Sequence, residues 1–270
     1  MKRKRLIFGS GLSSAKDLSG LTEVCDAAIE CGITSFDTAP SYRTEEILSN
    51  AIRVVMDRRG VSREQLWIQT KIDPIQMYEG HVLEYFERKL GTMRLEYVDA
   101  LLIHWPVYKY FRGSWNSLQL IRKRGLARHI GICNLRIEHL NELKGIGIVP
   151  EILQIERHPL NTFMDEAKFC SDNNIILQDY SPLCKMHPLL NQSALLESLS
   201  QKYCRSIGQI ILRWHFQTGA IPVFTSKRPS RIREYAQVHG FELLPEDIDK
   251  ISSLNCNHKL YLESLVCPGF

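Results

Sequence analysis

The sequence predicts an α/β protein that folds as a single-domain (β/α)₈ TIM barrel over residues 1–270. Short apolar runs rich in β-branched residues alternate eight times with longer segments of helical periodicity. No Pro/Gly/Ser-rich linker and no low-complexity stretch interrupts the series, which indicates one domain. Uninterrupted alternation of strand and helix predicts a parallel sheet with helices outside it, and eight units in this length favour closure into a barrel.

The individual elements follow from the hydrophobic pattern in chain order. Strands are expected at Leu6–Phe8, Ser35–Phe36 with an approach from Ile33, Leu66–Thr70, Val98–Ile103, His129–Ile132, Ile152–Ile155, Ile175–Gln178 and Ile221–Phe224. Helices are expected near residues 18–31, 44–59, 78–94, 112–124, 136–144, 163–173, 194–217, 229–237 and 245–254. Glycines at the ends of several helical stretches are typical stop signals: Gly32, Gly60, Gly125 and Gly219.

An open, doubly wound sheet is the alternative arrangement of the same elements. That fold usually carries a Gly-x-Gly-x-x-Gly turn after its first strand, where the glycines let the backbone approach a pyrophosphate. Here Gly9 and Gly11 begin the pattern, but Ser14 stands where the third glycine would be. Any bound nucleotide must therefore be held in another way.

Composition and charge exclude several classes of protein. Apolar residues make up 44% and charged residues 24% of the chain, as in an ordinary globular domain, and the net charge is only +4. The one basic cluster, Lys2 to Arg5, is expected to be a solvated terminus, and no nucleic-acid-reading motif follows it. No apolar run approaches the length of a membrane span. We expect neither a nucleic-acid partner nor a membrane.

The eight cysteines are scattered singly, without a Cys-x-x-Cys pair. The N-terminus lacks the apolar region of a secretory signal. Free thiols in a reducing compartment are therefore expected, and the protein is predicted to be cytoplasmic.

Four reactive side chains stand where three consecutive predicted strands end. Asp37 and Tyr42 follow the second strand. Lys71 follows the third strand and His104 the fourth, so all four should converge at one mouth of the barrel. A phenol has a pKa of about 10, and a neighbouring ammonium, kept charged by Asp37, would lower the pKa of Tyr42 and make it a better proton donor. His104 could hydrogen-bond a substrate carbonyl oxygen, although any one of these groups alone could simply satisfy polar neighbours.

The motifs around these residues, and several segments later in the chain, occur in an order that resembles one known family. The matching segments are Asp37-Thr38-Ala39-x-x-Tyr42 with Glu45 and Glu46, Thr70-Lys71, Leu102-Ile103-His104-Trp105-Pro106, Gly131-Ile132-Cys133-Asn134, Leu153 to Pro159, Tyr180-Ser181-Pro182-Leu183, and Pro222 through Arg231. They resemble the aldo-keto reductases over roughly residues 5 to 254. The resemblance implies NADPH-dependent reduction of an aldehyde or ketone, with Tyr42 as the proton donor.

In that family the nicotinamide cofactor lies extended across the barrel mouth, and the resemblance implies which residues hold it here. The implied contacts are Cys133, Asn134, Gln154, Tyr180, Ser181, Leu183, Thr225, Ser226, Lys227 and Arg231. Asn134 and Gln154 would bind the carboxamide, with Cys133 in place of the usual serine. Tyr180 would stack on the nicotinamide ring. Without the family, the amides could cap strand ends and the aromatic ring could pack under a loop.

The segment after the eighth strand has residues that favour binding of a phosphate group, independently of the family resemblance. Pro229 and Ser230 are helix start signals, and free N–H groups at a helix N-terminus attract phosphate. Lys227, Arg228 and Arg231 add cations suited to a phosphate group. The expected partner is the 2′-phosphate of the adenosine ribose, so NADPH is favoured over NADH. A solvated basic loop is the alternative.

Four features depart from the family's pattern. Arg43 stands where glycine is usual, and we expect it to point to solvent rather than to an acidic substrate. The usual Lys-Ser pair falls on Thr225-Ser226, with the lysine two residues later. Tyr235 replaces an asparagine that often contacts adenine, so that contact becomes stacking or is lost. Cys184-Lys185 replaces Gly-Ser, which would reshape the pyrophosphate clasp.

The predicted substrate is a small carbonyl compound in an open pocket. The connection after the fourth strand, Val107 to Gly113, is short, and only about sixteen residues follow residue 254. Trp105 is the predicted substrate-binding residue. Together with Tyr108, Tyr110 and Phe111 it could form an aromatic wall, or the four could simply pack together.

Two other functions could use the same barrel. A cofactor-binding sensor or regulatory subunit would keep the nucleotide site but turn over negligibly, which the four reactive side chains argue against. A metal-dependent hydrolase needs clustered ligands such as His-x-His after the first strand, and the nine histidines include no such pair. We expect no metal and a monomer, although the sequence defines neither the oligomeric state nor the natural substrate.

Overall fold

Eight parallel strands form a closed barrel. The computed structural model describes residues 6–11 and 17–262, so Lys2 to Arg5, Ser14 and Cys267 lie outside the described residues. The strands are β1 (Ile7–Gly9), β2 (Ser35–Asp37), β3 (Trp67–Ile72), β4 (Val98–Ile103), β5 (Ala127–Cys133), β6 (Ile152–Glu156), β7 (Ile176–Tyr180) and β8 (Ile221–Phe224). Each strand pairs in parallel with its neighbours in sequence, and β8 pairs with β1. The predicted (β/α)₈ barrel is confirmed.

Helices connect the strands on the outside of the barrel. They are α1 (Leu18–Glu30), α2 (Glu45–Arg59), α3 (Pro74–Glu79), α4 (Val82–Met93), α5 (Tyr108–Lys123), α6 (Ile137–Gly145), α7 (Met164–Asp172), α8 (Pro188–Asn191), α9 (Ala194–Tyr203), α10 (Ile207–Gln217), α11 (Pro229–Ala236) and α12 (Pro245–Ser252). Their apolar faces pack against the strands, as Phe86 of α4 and Leu118 of α5 do in one cluster with Leu101 of β4. The core therefore lies mainly between sheet and helices.

Two of the predicted helices are wrong, because each of these segments contains two separate helices. The segment predicted at 78–94 is interrupted at Gly80, whose left-handed φ of 74° ends α3 before α4 begins. The segment predicted at 194–217 is interrupted at Cys204, which takes a left-handed φ of 50°. Ser206 then starts a new helix through a capping box with Gln209, in which each side chain bonds the other's backbone N–H.

The interior of the barrel carries polar side chains toward the carboxyl ends of the strands. Gln69 Nε2 donates to Gln178 Oε1 at 2.8 Å, and this bond between β3 and β7 must cross the barrel. Because side chains alternate along a strand, Lys71 faces inward as well, two residues nearer the carboxyl end of β3. The fold thus places an ammonium group inside the barrel just below its mouth.

In residues 6–11 and 17–262, no helix is long and apolar enough to cross a membrane. The same residues contain no group of three or more His, Cys, Asp or Glu side chains that could hold a metal ion. The cysteines that the structure describes are free thiols, at positions 25, 31, 133, 170, 184, 204 and 256.

Gly131→Ala should destabilise the protein, because β5 has no room for a side chain at this position. A Cβ atom there would lie 2.4 Å from the carbonyl oxygen of Ile152 and 2.7 Å from the Leu102 side chain. Overpacking of this kind costs about 1–3 kcal/mol or more. Chemical denaturation measures the change in the free energy of unfolding.

Gly113→Ala is the matched control in an exposed part of α5, where an added Cβ meets nothing within 4 Å. It should stabilise the protein by about 0.5–1 kcal/mol, since alanine favours helix. Equal effects of the two substitutions would contradict the packing described for β5.

Candidate active site

The four reactive side chains predicted from the sequence meet at the mouth of the barrel. Asp37 ends β2, Lys71 lies in β3, and His104 directly follows β4. Tyr42 lies in a short 3₁₀ turn, Pro40–Tyr42. Lys71 Nζ is 2.8 and 2.7 Å from the two carboxylate oxygens of Asp37 and 3.4 Å from Tyr42 Oη. The phenol therefore lies beside an ammonium group that is paired with a carboxylate.

The Asp37–Lys71 pair is buried, with 2% and 1% of each residue exposed. A buried ion pair is tolerated when further hydrogen bonds satisfy both charged groups. Lys71 also donates to the carbonyl oxygen of Thr38 at 2.9 Å. Asp37 Oδ1 also accepts from Gln69 Nε2 at 2.7 Å and from Gln154 Nε2 at 3.2 Å. The barrel interior thus supplies the donors that stabilise this carboxylate.

Burial and charge act in opposite directions on the pKa of Lys71. Burial, the largest single effect, would lower it. The negative charge and hydrogen bonds of Asp37, with smaller effects of Tyr42 and Cys133, outweigh burial and raise the pKa above its usual value. Lys71 is therefore an ammonium at neutral pH.

The expectation that Lys71 lowers the pKa of Tyr42 below that of a free phenol is wrong for the free protein. Burial of the hydroxyl is the larger effect and raises the pKa, and Asp37 acts in the same direction. Lys71 opposes both by charge and by hydrogen bonding, but it does not reverse them. Tyr42 therefore keeps its proton at neutral pH, and its hydroxyl lies beside the Lys71 ammonium, which favours the phenolate.

His104 packs against the phenol, and a residue that the sequence did not single out holds it there. The rings of His104 and Tyr42 pack edge to face, with centroids 5.7 Å apart. His104 Nδ1 hydrogen-bonds to a carboxylate oxygen of Asp73, which directly follows β3. Burial, helped by the charge of Lys71, lowers the pKa of His104 although Asp73 opposes it. The imidazole is therefore neutral at neutral pH.

A cavity of about 600 Å³ opens above these groups at the barrel mouth. Its lining includes most of the residues predicted from the sequence: Asp37, Tyr42, His104, Trp105, Asn134, Gln154, Tyr180, Ser181, Leu183, Thr225, Ser226, Lys227 and Arg231. Within it, Asn134 Oδ1 accepts from Tyr180 Oη at 2.8 Å, and Asn134 Nδ2 donates to the carbonyl oxygen of His104 at 2.9 Å. An amide and an aromatic side chain are thus held together in the cavity lining, next to the backbone of His104.

Cys133, a predicted cofactor contact, lies next to the lining residue Gln154 but not in the cavity lining itself. Its side chain is wholly buried and packs with apolar residues such as Leu102 and Ile152 rather than in the cavity lining. Its thiol lies 3.9 Å from Gln154 Oε1, as a weak donor. Cys133 therefore contacts a lining residue.

Of the four residues predicted to form an aromatic wall, Trp105 alone lines the cavity. Trp105 lines the cavity, but Tyr108 is 75% exposed and does not. Tyr110 packs against Tyr78, with ring centroids 5.0 Å apart. Phe111 packs in the core. The connection after β4 is even shorter than predicted, because α5 begins at Tyr108 instead of near residue 112.

One end of the cavity is basic. Lys227, Arg228 and Arg231 line it beside the start of α11, and the N–H group of Arg228 is held by Ser226 Oγ at 3.1 Å. Tyr235 is buried beneath this end and packs edge to face on Phe224. An anionic group would find both cations and a helix N-terminus here.

Four residues in the segment that follows β7 have a left-handed backbone conformation. Ser181, Cys184, Lys185 and Met186 have φ between 45° and 54°. Such angles are unfavourable for residues with a Cβ, so the surrounding packing must impose them. Cys184 is buried in an apolar cluster, whereas Lys185 lines the cavity. Arg43, likewise left-handed at 57°, is exposed, as expected for a side chain that points to solvent.

Tyr261 is a lining residue that the sequence did not indicate, because no motif surrounds it. Its ring packs against Tyr180, with centroids 5.9 Å apart, and Lys185 Nζ lies 4.9 Å from its centroid. Glu156, at the end of β6, holds this segment by accepting from the N–H groups of Leu260 at 2.6 Å and Tyr261 at 3.0 Å. One buried carboxylate thus fixes one wall of the cavity.

Comparisons with known proteins agree with this architecture. The chain matches the model of the Aldo/keto reductase family over residues 5–256. Glyoxal reductase of Bacillus subtilis is 36% identical over 255 residues, which cover 94% of this chain and 90% of that protein. Methylglyoxal reductase of Yersinia pestis is 34% identical over 236 residues, 86% of this chain and 83% of that protein.

A solved structure supports the same conclusion. The aldo-keto reductase of Bombyx mori, in complex with NADP, superimposes with a TM-score of 0.87 at 28% identity, covering 96% of this chain and 91% of that one. The chain belongs to the aldo/keto reductase family and is an oxidoreductase of that family.

Glu156→Gln should release the segment that carries Tyr261, because an amide offers one acceptor oxygen where the carboxylate offers two. Hydrogen bonds to charged groups contribute about 1.5–3 kcal/mol. Amide hydrogen exchange at Leu260 and Tyr261 should therefore quicken by about tenfold or more.

Glu246→Gln, at an exposed position of α12, is the control and should leave these two amides unchanged. Exchange at Leu260 and Tyr261 that is as slow in Glu156→Gln as in the wild type would show that other contacts hold the segment.

Proposed function

We propose that this protein reduces an aldehyde or ketone to an alcohol with NADPH, and that Tyr42 is the general acid. The observation that carries the proposal is the position of Lys71 Nζ, which bonds both oxygens of Asp37 and lies 3.4 Å from Tyr42 Oη below the cavity. The reductase names of the relatives from Bacillus subtilis and Yersinia pestis support carbonyl compounds as the substrate class.

The chemistry of the cavity lining fits NADPH. Beside the phenol it offers the amide of Asn134 and the ring of Tyr180, which suit a carboxamide and a nicotinamide ring. At its far end it offers Lys227 and Arg231 beside a helix N-terminus, which suit a 2′-phosphate. Ser181 and Leu183 line the space between and would border the pyrophosphate. When bound, the cofactor supplies a hydride.

Residues of the chain then donate the proton and stabilise the negative charge that remains. During reduction, negative charge would grow on the carbonyl oxygen of the substrate, and Tyr42 would donate its proton there to give the alcohol. The phenolate that remains faces the Lys71 ammonium, whose charge and position are fixed by Asp37. His104 and Trp105 line the space where the substrate would lie. A monomeric state and a cytoplasmic location stay predictions.

Tyr42→Phe should lower kcat/KM by about 10²- to 10⁴-fold, the usual contribution of a general acid. NADPH binding should be nearly unchanged, because only the hydroxyl is removed. Consumption of NADPH with a panel of simple aldehydes measures turnover, and cofactor fluorescence measures binding.

Tyr108→Phe is the matched control, since that exposed tyrosine does not line the cavity, and it should behave as the wild type. Full turnover by Tyr42→Phe would exclude Tyr42 as the acid. A wild-type protein that binds NADPH but reduces no aldehyde would instead favour a sensor subunit.

Arg231→Ala should weaken NADPH binding by about 10- to 100-fold and leave NADH binding nearly unchanged, since one charge-assisted contact to phosphate is removed. Titration of both cofactors gives the two dissociation constants. Arg233→Ala is the control: Arg233 lies on the same helix but pairs with Glu30 at 2.8 Å, away from the cavity. Equal losses for NADPH and NADH in Arg231→Ala would exclude a 2′-phosphate contact.

A further inference from the structure

The basic end of the cavity, next to the start of α11, offers hydrogen-bond donors rather than strong acceptors. The side chains that line it are those of Phe224, Thr225, Ser226, Lys227, Arg228, Arg231 and Tyr235. The carboxylate and amide side chains of the described lining are those of Asp37, Asn134 and Gln154. They lie at the other end of the cavity, within hydrogen bonds that reach Lys71 and His104. In the part of the chain that the structure describes, the basic end thus has three cations and neither a carboxylate nor a side-chain amide.

Glu234, the acidic residue of α11, is bound elsewhere. Ser206 Oγ donates to its carboxylate, and Gln209 Nε2 donates to its backbone carbonyl oxygen at 2.7 Å. Both partners belong to the start of α10, so these bonds join α10 to α11. Glu234 does not line the cavity, and its carboxylate is therefore not an acceptor for a ligand there.

Tyr235 fills space in the wall of this end. It is 3% exposed and packs edge to face on Phe224, with ring centroids 5.6 Å apart. On its other side lies Gly208 of α10, where an added Cβ would come within 2.8 Å of the ring and 2.9 Å of the hydroxyl oxygen. The ring is therefore held between β8 and α10, with its hydroxyl against α10.

Arg228 is the cation at this end that combines a fixed backbone with an accessible guanidinium. Ser226 Oγ accepts from its N–H group at 3.1 Å and donates to its carbonyl oxygen at 3.2 Å. Its side chain is exposed and lines the cavity, and no carboxylate of the described residues pairs with it. Arg233 of α11, by contrast, is paired with Glu30 at 2.8 Å. Arg228 therefore offers a planar fork of donors to a ligand.

A base joined to the ribose that carries the 2′-phosphate must lie at this same end. The edge of adenine presents an acceptor at N7 and a donor, the 6-amino group. A 6-oxopurine such as hypoxanthine presents acceptors at both N7 and O6. An arginine fork pairs with the two acceptors, whereas the adenine edge is matched by a side-chain amide. The donors of the basic end therefore suit a 6-oxopurine better than adenine.

We propose that Arg228 is a specificity-determining residue for the cofactor base, and that the site binds a 2′-phosphorylated dinucleotide with a 6-oxopurine more tightly than NADPH. Its guanidinium pairs with O6 and N7 of the 6-oxopurine and faces the amino group of adenine as one donor faces another. The preference rests on the proposed binding of NADPH, because the 2′-phosphate places the base. It does not depend on turnover.

The preference is tested with reduced nicotinamide hypoxanthine dinucleotide phosphate (deamino-NADPH), which differs from NADPH only in the base. Cofactor fluorescence of the full-length protein, without a carbonyl substrate, gives both dissociation constants. Deamino-NADPH should bind about fivefold or more tightly than NADPH, as a good bidentate pair discriminates between bases. Equal affinities, or tighter binding of NADPH, overturn the preference.

Arg228→Gln should reverse the preference. The glutamine oxygen can accept from the 6-amino group while its NH₂ group donates to N7, so NADPH should become the tighter ligand by about fivefold or more. Loss of the positive charge weakens both dinucleotides alike and cancels in the ratio. Arg233→Gln, the same substitution at the arginine paired with Glu30, is the matched control and should keep the wild-type ratio. A wild-type ratio in Arg228→Gln would exclude Arg228 as the residue that reads the base.

Binding and turnover separate this inference from the reductase function. If both dinucleotides bind with the expected ratio but no aldehyde is reduced, the base preference stands and the reductase function is contradicted. If NADPH supports turnover but binds as tightly as deamino-NADPH or more tightly, the base preference alone fails. If neither dinucleotide binds, both proposals are overturned.

Discussion

The buried ion pair between Asp37 and Lys71 is the interaction on which the site depends. Asp37 is stabilised from inside the barrel by Gln69 of the neighbouring strand β3 and by Gln154 of β6. The bond from Gln154 exists because β2 and β6, which are distant in sequence, face each other across the closed sheet. Asp37 in turn holds Lys71 charged and in place below Tyr42. A substitution of Gln69 or Gln154 would thus affect the phenol through three successive contacts, which join the amide to Asp37, Asp37 to Lys71, and Lys71 to Tyr42.

Most of the fold could be predicted from the sequence because hydrophobic periodicity is a local signal. The strands Val98–Ile103 and Ile221–Phe224 agree with the prediction at both ends. The break at Cys204 could not be predicted, since its side chain gives no stop signal and the left-handed conformation is imposed by packing. The early start of α5 at Tyr108 was missed for a similar reason: the segment has no N-cap side chain.

The same distinction holds for the site: residues within local motifs could be predicted, whereas residues whose roles depend on long-range contacts could not. Residues within motifs at strand ends, such as Asn134 and Tyr180, lie in the cavity lining as the sequence predicts. Asp73 and Tyr261 were missed, because their roles depend on partners that are distant in sequence, His104 and Glu156. The direction of the Tyr42 pKa shift was also missed, since it depends on how deeply the hydroxyl is buried.

The most direct test of the central claim removes the charged pair and leaves the cavity lining otherwise intact. The double variant Asp37→Asn/Lys71→Met avoids an uncompensated buried charge. Single-turnover reduction of an aldehyde with C4-deuterated NADPH should place one deuterium on the carbinol carbon in the wild type. In the double variant that step should slow by about 10²- to 10⁴-fold with NADPH still bound. A double variant that transfers deuterium at the wild-type rate would contradict the account.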